Sequence, residues 1–164
     1  MHTNLFAKDI TEFLNKIIGE ITNVGIDVSS LRIDHIAYST KTTEEYEKML
    51  NAFIKVGNLL KEAIIGERRV AVIELYSPIL YENQKIEYIE LIEPKKGQVA
   101  LSGWEHIEFL INSYTEIIKS YPELAWDTKH LNRDNFSRLK LTLPSGREVK
   151  FLDTPVFESI CREG

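Results

Sequence analysis

The chain carries a weak internal repeat. RIDHIAYS (32–39) lies beside GWEHIEFL (103–110), which puts His35 and His106 at the same place 71 positions apart, and farther on IEYIELIEP (86–94) lies beside REVKFLDTP (147–155). A repeat in this order predicts two like units, each curling a small sheet around a shared cleft with helices over the outer face.

Hydrophobic periodicity fills in each unit. From Leu5 to Ile21 apolar residues recur at three- and four-residue steps, which predicts an amphipathic helix stopped at Gly25. LRIDHIAYS then predicts a strand, and Thr42 or Thr43 caps a helix ending at Gly57. NLLKEAIIG, RVAVIELYS and KIEYIELIE follow as strands, with a turn at Gly66 to Arg68 and a looser loop from Pro78 to Gln84. PKKGQVALSG is a linker. The order then returns: GWEHIEFLI as a strand, SYTEIIKSYPELA as a helix, a strand near Asp127 to Leu131, and RLKLTLPSG with REVKFLD as a hairpin turning at Pro144 to Gly146. A last short helix is capped by Thr154. The expectation is one α+β domain over residues 1–164: an extra N-terminal helix in 1–29, a first βαβββ module in 30–94, and a second module with the C-terminal helix in 100–164.

Composition removes several function classes. With 43% hydrophobic and 27% charged residues in 164, the chain can bury about 70% of its surface and needs no disulfide or structural metal to fold. The net charge of −5 is spread out, which argues against nucleic acid. Cys161 is the single cysteine, so disulfides within the chain and thiolate zinc clusters are excluded. MHTNLFAKDITEF is unlike a signal peptide, and no run approaches the roughly 20 apolar residues of a membrane helix. A soluble protein of the cytoplasm, monomeric or homodimeric, is expected. No base motif accompanies Cys161; His2 at the terminus and His130 in a loop read as surface residues, and Trp104 and Tyr88 as core.

The chemistry lies in the repeated strands. Side chains alternate across a strand, so if Ile36, Ile89, Leu91, Ile107 and Phe109 pack under the helices, His35, Glu90, His106 and Glu108 face the other, concave side. Buried without partners such groups cost several kcal/mol each, so they need one another, water or a metal. Two imidazoles and a carboxylate with open positions suit a divalent ion, and Glu108 or a water could complete the shell.

DHIAYS, IELIEP and GWEHIEF resemble the vicinal oxygen chelate superfamily of glyoxalase I, methylmalonyl-CoA epimerase, extradiol dioxygenases and bleomycin-resistance proteins, and within it look most like the YecM-like proteins. The resemblance covers residues 30–155 and the leading helix. It implies two βαβββ modules around a barrel-like cleft, with a metal ligand on the first and last strand of each. His35, Glu90 and His106 take three of those places, for Zn, Fe, Mn or Ni. In the fourth, Lys150 stands where the family has a carboxylate, and an ammonium has no lone pair for a cation.

Two readings of Lys150 stay open: a three-ligand site with extra open positions, or a lysine whose charge replaces the metal beside Glu90. Arg138 and Lys140 alternate with Leu139 and Leu141, so with Lys150 they form a basic wall for a carboxylate or phosphate of a substrate, or else pair with acids such as Glu148. The expected function is a metal-dependent lyase, isomerase or dioxygenase acting on a small oxygenated substrate, with Glu108, if it is not itself a ligand, as the nearest candidate for the catalytic base. The alternative is a non-catalytic binding or sequestering protein of the bleomycin-resistance type.

Overall fold

The computed structural model describes residues 6–98 and 101–163. His2, Leu5 at the head of the leading helix, Val99 and Ala100 of the linker, and Gly164 lie outside them. The elements are α1 (Ala7–Asn23), β1 (Arg32–Ser39), α2 (Thr43–Phe53), β2 (Gly57–Ile65), β3 (Arg68–Tyr81), β4 (Gln84–Ile92), β5 (Gly103–Leu110), α3 (Tyr114–Ser120), β6 (Asp127–His130), β7 (Arg138–Thr142), β8 (Glu148–Leu152) and α4 (Val156–Glu163). The strands of the first repeat are hydrogen-bonded in the order β2-β3-β4-β1 and those of the second in the order β5-β8-β7-β6, each a mixed sheet. The class is α+β, and the βαβββ order occurs twice, as β1-α2-β2-β3-β4 and β5-α3-β6-β7-β8. In both repeats the first strand pairs in parallel with the last, β1 with β4 and β5 with β8.

The chain forms two compact units: Met1–Glu12 with His35–Glu105, and Phe13–Asp34 with His106–Gly164. Their limits fall inside α1, β1 and β5, so each unit borrows part of an element from outside its own repeat.

In the first unit, α2 starts at Thr42, whose Oγ1 accepts from the Glu45 N–H at 3.0 Å, as anticipated. Gly57 does not stop that helix. It opens β2, and a Cβ there would lie 2.4 Å from the Glu74 carbonyl oxygen, so the close approach of β3 demands glycine. β2 and β3 turn at Gly66 and Glu67, both with positive φ, the geometry of a type I′ hairpin. The loop expected from Pro78 to Gln84 is instead mostly strand: β3 continues to Tyr81. A register irregularity between Glu74 and Ile79 accommodates Pro78, which has no N–H for the ladder.

Beside α2, Arg69 binds Glu93 through Nε at 3.1 Å and Nη2 at 2.7 Å, pairs with Glu47, and stacks over the Tyr46 ring at 4.4 Å. The Arg69 guanidinium holds the Glu93 carboxyl below its ordinary value. A carboxylate with a lowered folded pKa stabilises the protein above its unfolded pKa, and that contribution is lost as pH falls through the folded value. Arg69→Leu is therefore expected to remove part of the stability at pH 6 and to flatten its decline below about pH 4.5. Urea unfolding at pH 6, 4 and 3 checks this; parallel acid limbs for the two proteins would contradict it.

In the second unit, α1 ends with Gly25 at φ +98, where the Ile26 N–H reaches the Ile21 carbonyl at 3.2 Å and the Gly25 N–H the Thr22 carbonyl at 3.0 Å. These are the two bonds of a Schellman motif, closed by buried Ile21 and Ile26. Phe109 stacks on Phe151 at 6.0 Å and Trp126 meets Phe151 edge-on at 5.8 Å. Thr154 is not the cap of α4, which begins two residues later. Buried Asp34 accepts from the Val156 N–H at 3.2 Å instead, filling the helix start with a carboxylate from β1. His130 is not in a loop: it ends β6, paired with Arg138 and half-buried. Burial pushes its imidazole pKa down, helped by the positive charges of Arg133, Lys140 and Lys150.

Candidate metal centre

In the first unit, β1 and β4 run in parallel with His35 opposite Tyr88 and Ala37 opposite Glu90. Opposed residues share a face, so His35, Ala37 and Glu90 point the same way, with Ile36 and Ile89 behind them. His35 and Ala37 are both fully buried. The His35 Nε2 to Glu90 Oε2 distance is 3.6 Å.

In the second unit, β5 and β8 repeat the arrangement with His106 opposite Glu148 and Glu108 opposite Lys150. Aligning the two histidines therefore matches Glu90 with Lys150. Laying the two final-strand strings end to end, with Pro94 on Pro155, is one residue out of step. His106 and Glu108 are both 1% exposed, and His106 Nε2 lies 3.4 Å from Glu108 Oε1. The other carboxylate oxygen, Oε2, is 2.6 Å from Arg138 Nε, a buried ion pair.

Two atoms each about 2.1 Å from a metal at a tetrahedral angle are about 3.4 Å apart. The two histidine–carboxylate distances, 3.6 and 3.4 Å, have that spacing. Each unit thus offers an imidazole and a carboxylate, donors suited to a divalent ion, at the spacing that its ligands take.

The three cations predicted as a wall do different things. Arg138 is committed to Glu108. Lys140 bridges Glu148 at 3.1 Å and Asp127 at 3.5 Å, the acid-pairing alternative. Lys150 stands opposite both Glu108 and Lys140 in the ladder and, among the described residues, forms no ion pair. Trp104 packs edge-on against Tyr38 at 5.1 Å and near Phe53 at 6.1 Å, in the apolar part of the first unit. Cys161 is exposed. Sequence reading missed the Arg138–Glu108 pair. Its only sequence signal was the exchange of charges between the repeats, Ala37 and Glu90 in the first for Glu108 and Lys150 in the second.

Residues 2–157 match the profile of the YecM protein family. An uncharacterized protein of Haemophilus influenzae is 33% identical over 105 residues, 64% of this chain and 55% of that protein, so the match spans about half of that relative's length. Protein YecM of Escherichia coli is 25% identical over 144 residues, 88% of this chain and 76% of that protein. Among solved structures, a structural-genomics protein, EC4020, superposes with a TM-score of 0.80 at 21% identity, covering 99% of this chain and 93% of its own. Methylmalonyl-CoA epimerase in complex with methylmalonyl-CoA and an ammonium ion gives a TM-score of 0.51 at 15% identity, with coverages of 74% and 92%. These likenesses show the vicinal oxygen chelate fold. Among the described residues no helix is long and apolar enough to cross a membrane.

Proposed function

The chain belongs to the YecM family, and from that premise we propose that it is a metal-dependent enzyme of the cytoplasm, holding one divalent ion on His35, Glu90 and His106 with Glu108 beside them. The observation that carries this reading is the spacing of the donors: a buried imidazole and a carboxylate in each repeat, 3.6 and 3.4 Å apart, as ligands of one ion would be. When bound, such an ion polarises a substrate oxygen or acidifies a water.

The substrate is a small oxygenated molecule able to chelate, and the reaction is a lyase, isomerase or dioxygenase step. An epimerase acting on a CoA ester has the same fold, which supports the choice by fold alone. Lys150 is the residue assigned to an anionic group of the substrate, carboxylate or phosphate. Lys150 is half-buried and opposite Glu108, and Lys140 beside it is held by Asp127 and Glu148.

Elemental analysis of protein purified without a histidine tag tests the reading. About one equivalent of a transition metal is expected, and a His35→Ala, His106→Ala double variant should lose it. Full occupancy in that folded variant would overturn the assignment, and a metal-free wild type after exchange against Zn²⁺ and Mn²⁺ would favour a binding protein over an enzyme.

A further inference from the structure

We propose that the second repeat has moved its carboxylate ligand from β8 to β5, so that Glu108 does for His106 what Glu90 does for His35, and that Arg138 positions it. The inference rests on the metal-binding reading above. Three observations within the two units lead to it.

The first is the register. With the histidines aligned, Ala37 corresponds to Glu108 and Glu90 to Lys150, and in each repeat those two positions are directly opposed on parallel strands. Paired strands lie about 4.8 Å apart, which is within a glutamate's reach, so a carboxylate on either strand can meet the same point. Each repeat keeps one carboxylate at these two positions and differs only in which strand carries it.

The second is distance. The histidine Nε2 to carboxylate oxygen separation is 3.6 Å in the first repeat and 3.4 Å in the second, although the carboxylate comes from the last strand in one and from the histidine's own strand in the other. A relocated side chain with no shared task has no reason to restore that spacing.

The third is what holds Glu108. Its Oε2 meets Arg138 Nε at 2.6 Å, leaving Oε1 as the oxygen nearer His106. The guanidinium charge held against one oxygen keeps that side of the carboxylate toward Arg138 and so leaves the other toward His106. Outer-shell partners orient metal ligands in this way. A general base needs an open side toward the substrate, and a carboxylate 1% exposed and clamped by arginine is better built to stay still. Glu108 is thus a ligand in place of the base expected from sequence, and Arg138 a positioning residue in place of a substrate contact.

Isothermal titration with Mn²⁺ and with Zn²⁺ alone, with circular dichroism to establish folding, is the test. Removing even an outer-shell partner costs roughly 10- to 100-fold in metal affinity, so Glu108→Ala is expected to lose at least about 100-fold. Glu108→Ala combined with Lys150→Glu, which gives the second repeat the residue types of the first, should recover affinity to within about tenfold of wild type. Arg138→Lys should weaken binding about tenfold, while Lys140→Ala on the same strand leaves it unchanged. Glu108→Gln, equal in volume, serves should the alanine variant not fold. Undiminished binding in Glu108→Ala or Glu108→Gln overturns the relocation, as does a folded double variant as weak as Glu108→Ala alone. A wild type that binds neither ion removes the metal reading itself, which is a separate result.

Discussion

Saturating the protein with Mn²⁺ or Zn²⁺ is expected to raise its thermal midpoint by about 10 °C. A ligand that binds the folded state alone stabilises it by RT ln(1 + [L]/Kd), about 4 kcal/mol at a thousandfold excess over Kd. For a chain of this size each kcal/mol moves the midpoint by roughly 2–4 °C. His35→Ala should abolish most of the shift, because His35 is fully buried and is one of the proposed ligands, 3.6 Å from Glu90. Differential scanning calorimetry with and without the ion decides it. A wild-type transition that does not move with either ion, at concentrations that saturate ordinary transition-metal sites, would count against a metal centre.

The second large effect is expected at Arg138. Its side chain is 11% exposed and that of Glu108 2%, and their atoms meet at 2.6 Å, so the pair sits where water screens little. Removing one member of a buried ion pair typically costs 3–5 kcal/mol, on the order of half the stability of a small domain, because the remaining charge loses its nearest countercharge. Arg138→Leu in the metal-free protein is expected to lose about that much in urea unfolding. Glu108→Gln together with Arg138→Leu should lose less than Arg138→Leu alone, since the charge is removed with its partner. A loss below about 1 kcal/mol for Arg138→Leu would mean that the pair behaves as a solvated one.

The repeat made the architecture readable. Alternating apolar residues in RIDHIAYS and GWEHIEFL identify strands with one apolar face, and their common order with the helices and hairpins around them predicts two βαβββ units and an α+β class. The errors fell where a residue's local preference was answered by a distant neighbour. Gly57 looks like a helix stop because glycine commonly ends helices, but the carbonyl of Glu74 is what excludes a side chain there. Pro78 looks like a loop because proline cannot donate to a ladder, but a local irregularity in register lets β3 run past it. Thr154 looks like a cap because threonine often is one, but Asp34, 122 positions earlier in the chain, reaches the helix start first.

The candidate site divides in the same way. The period of two along a strand is a property of the backbone, and it alone put His35, Glu90, His106 and Glu108 among the residues turned from the apolar faces. Which carboxylate stands beside which histidine, and that Arg138 grips Glu108 while Lys140 goes to Asp127 and Glu148, depends on strand register and on side chains meeting from separate strands. Local sequence carries periodicity and turn chemistry, because these follow from bonds a few residues long. Partnership between charges is a matter of distance in space, and only the folded chain sets that.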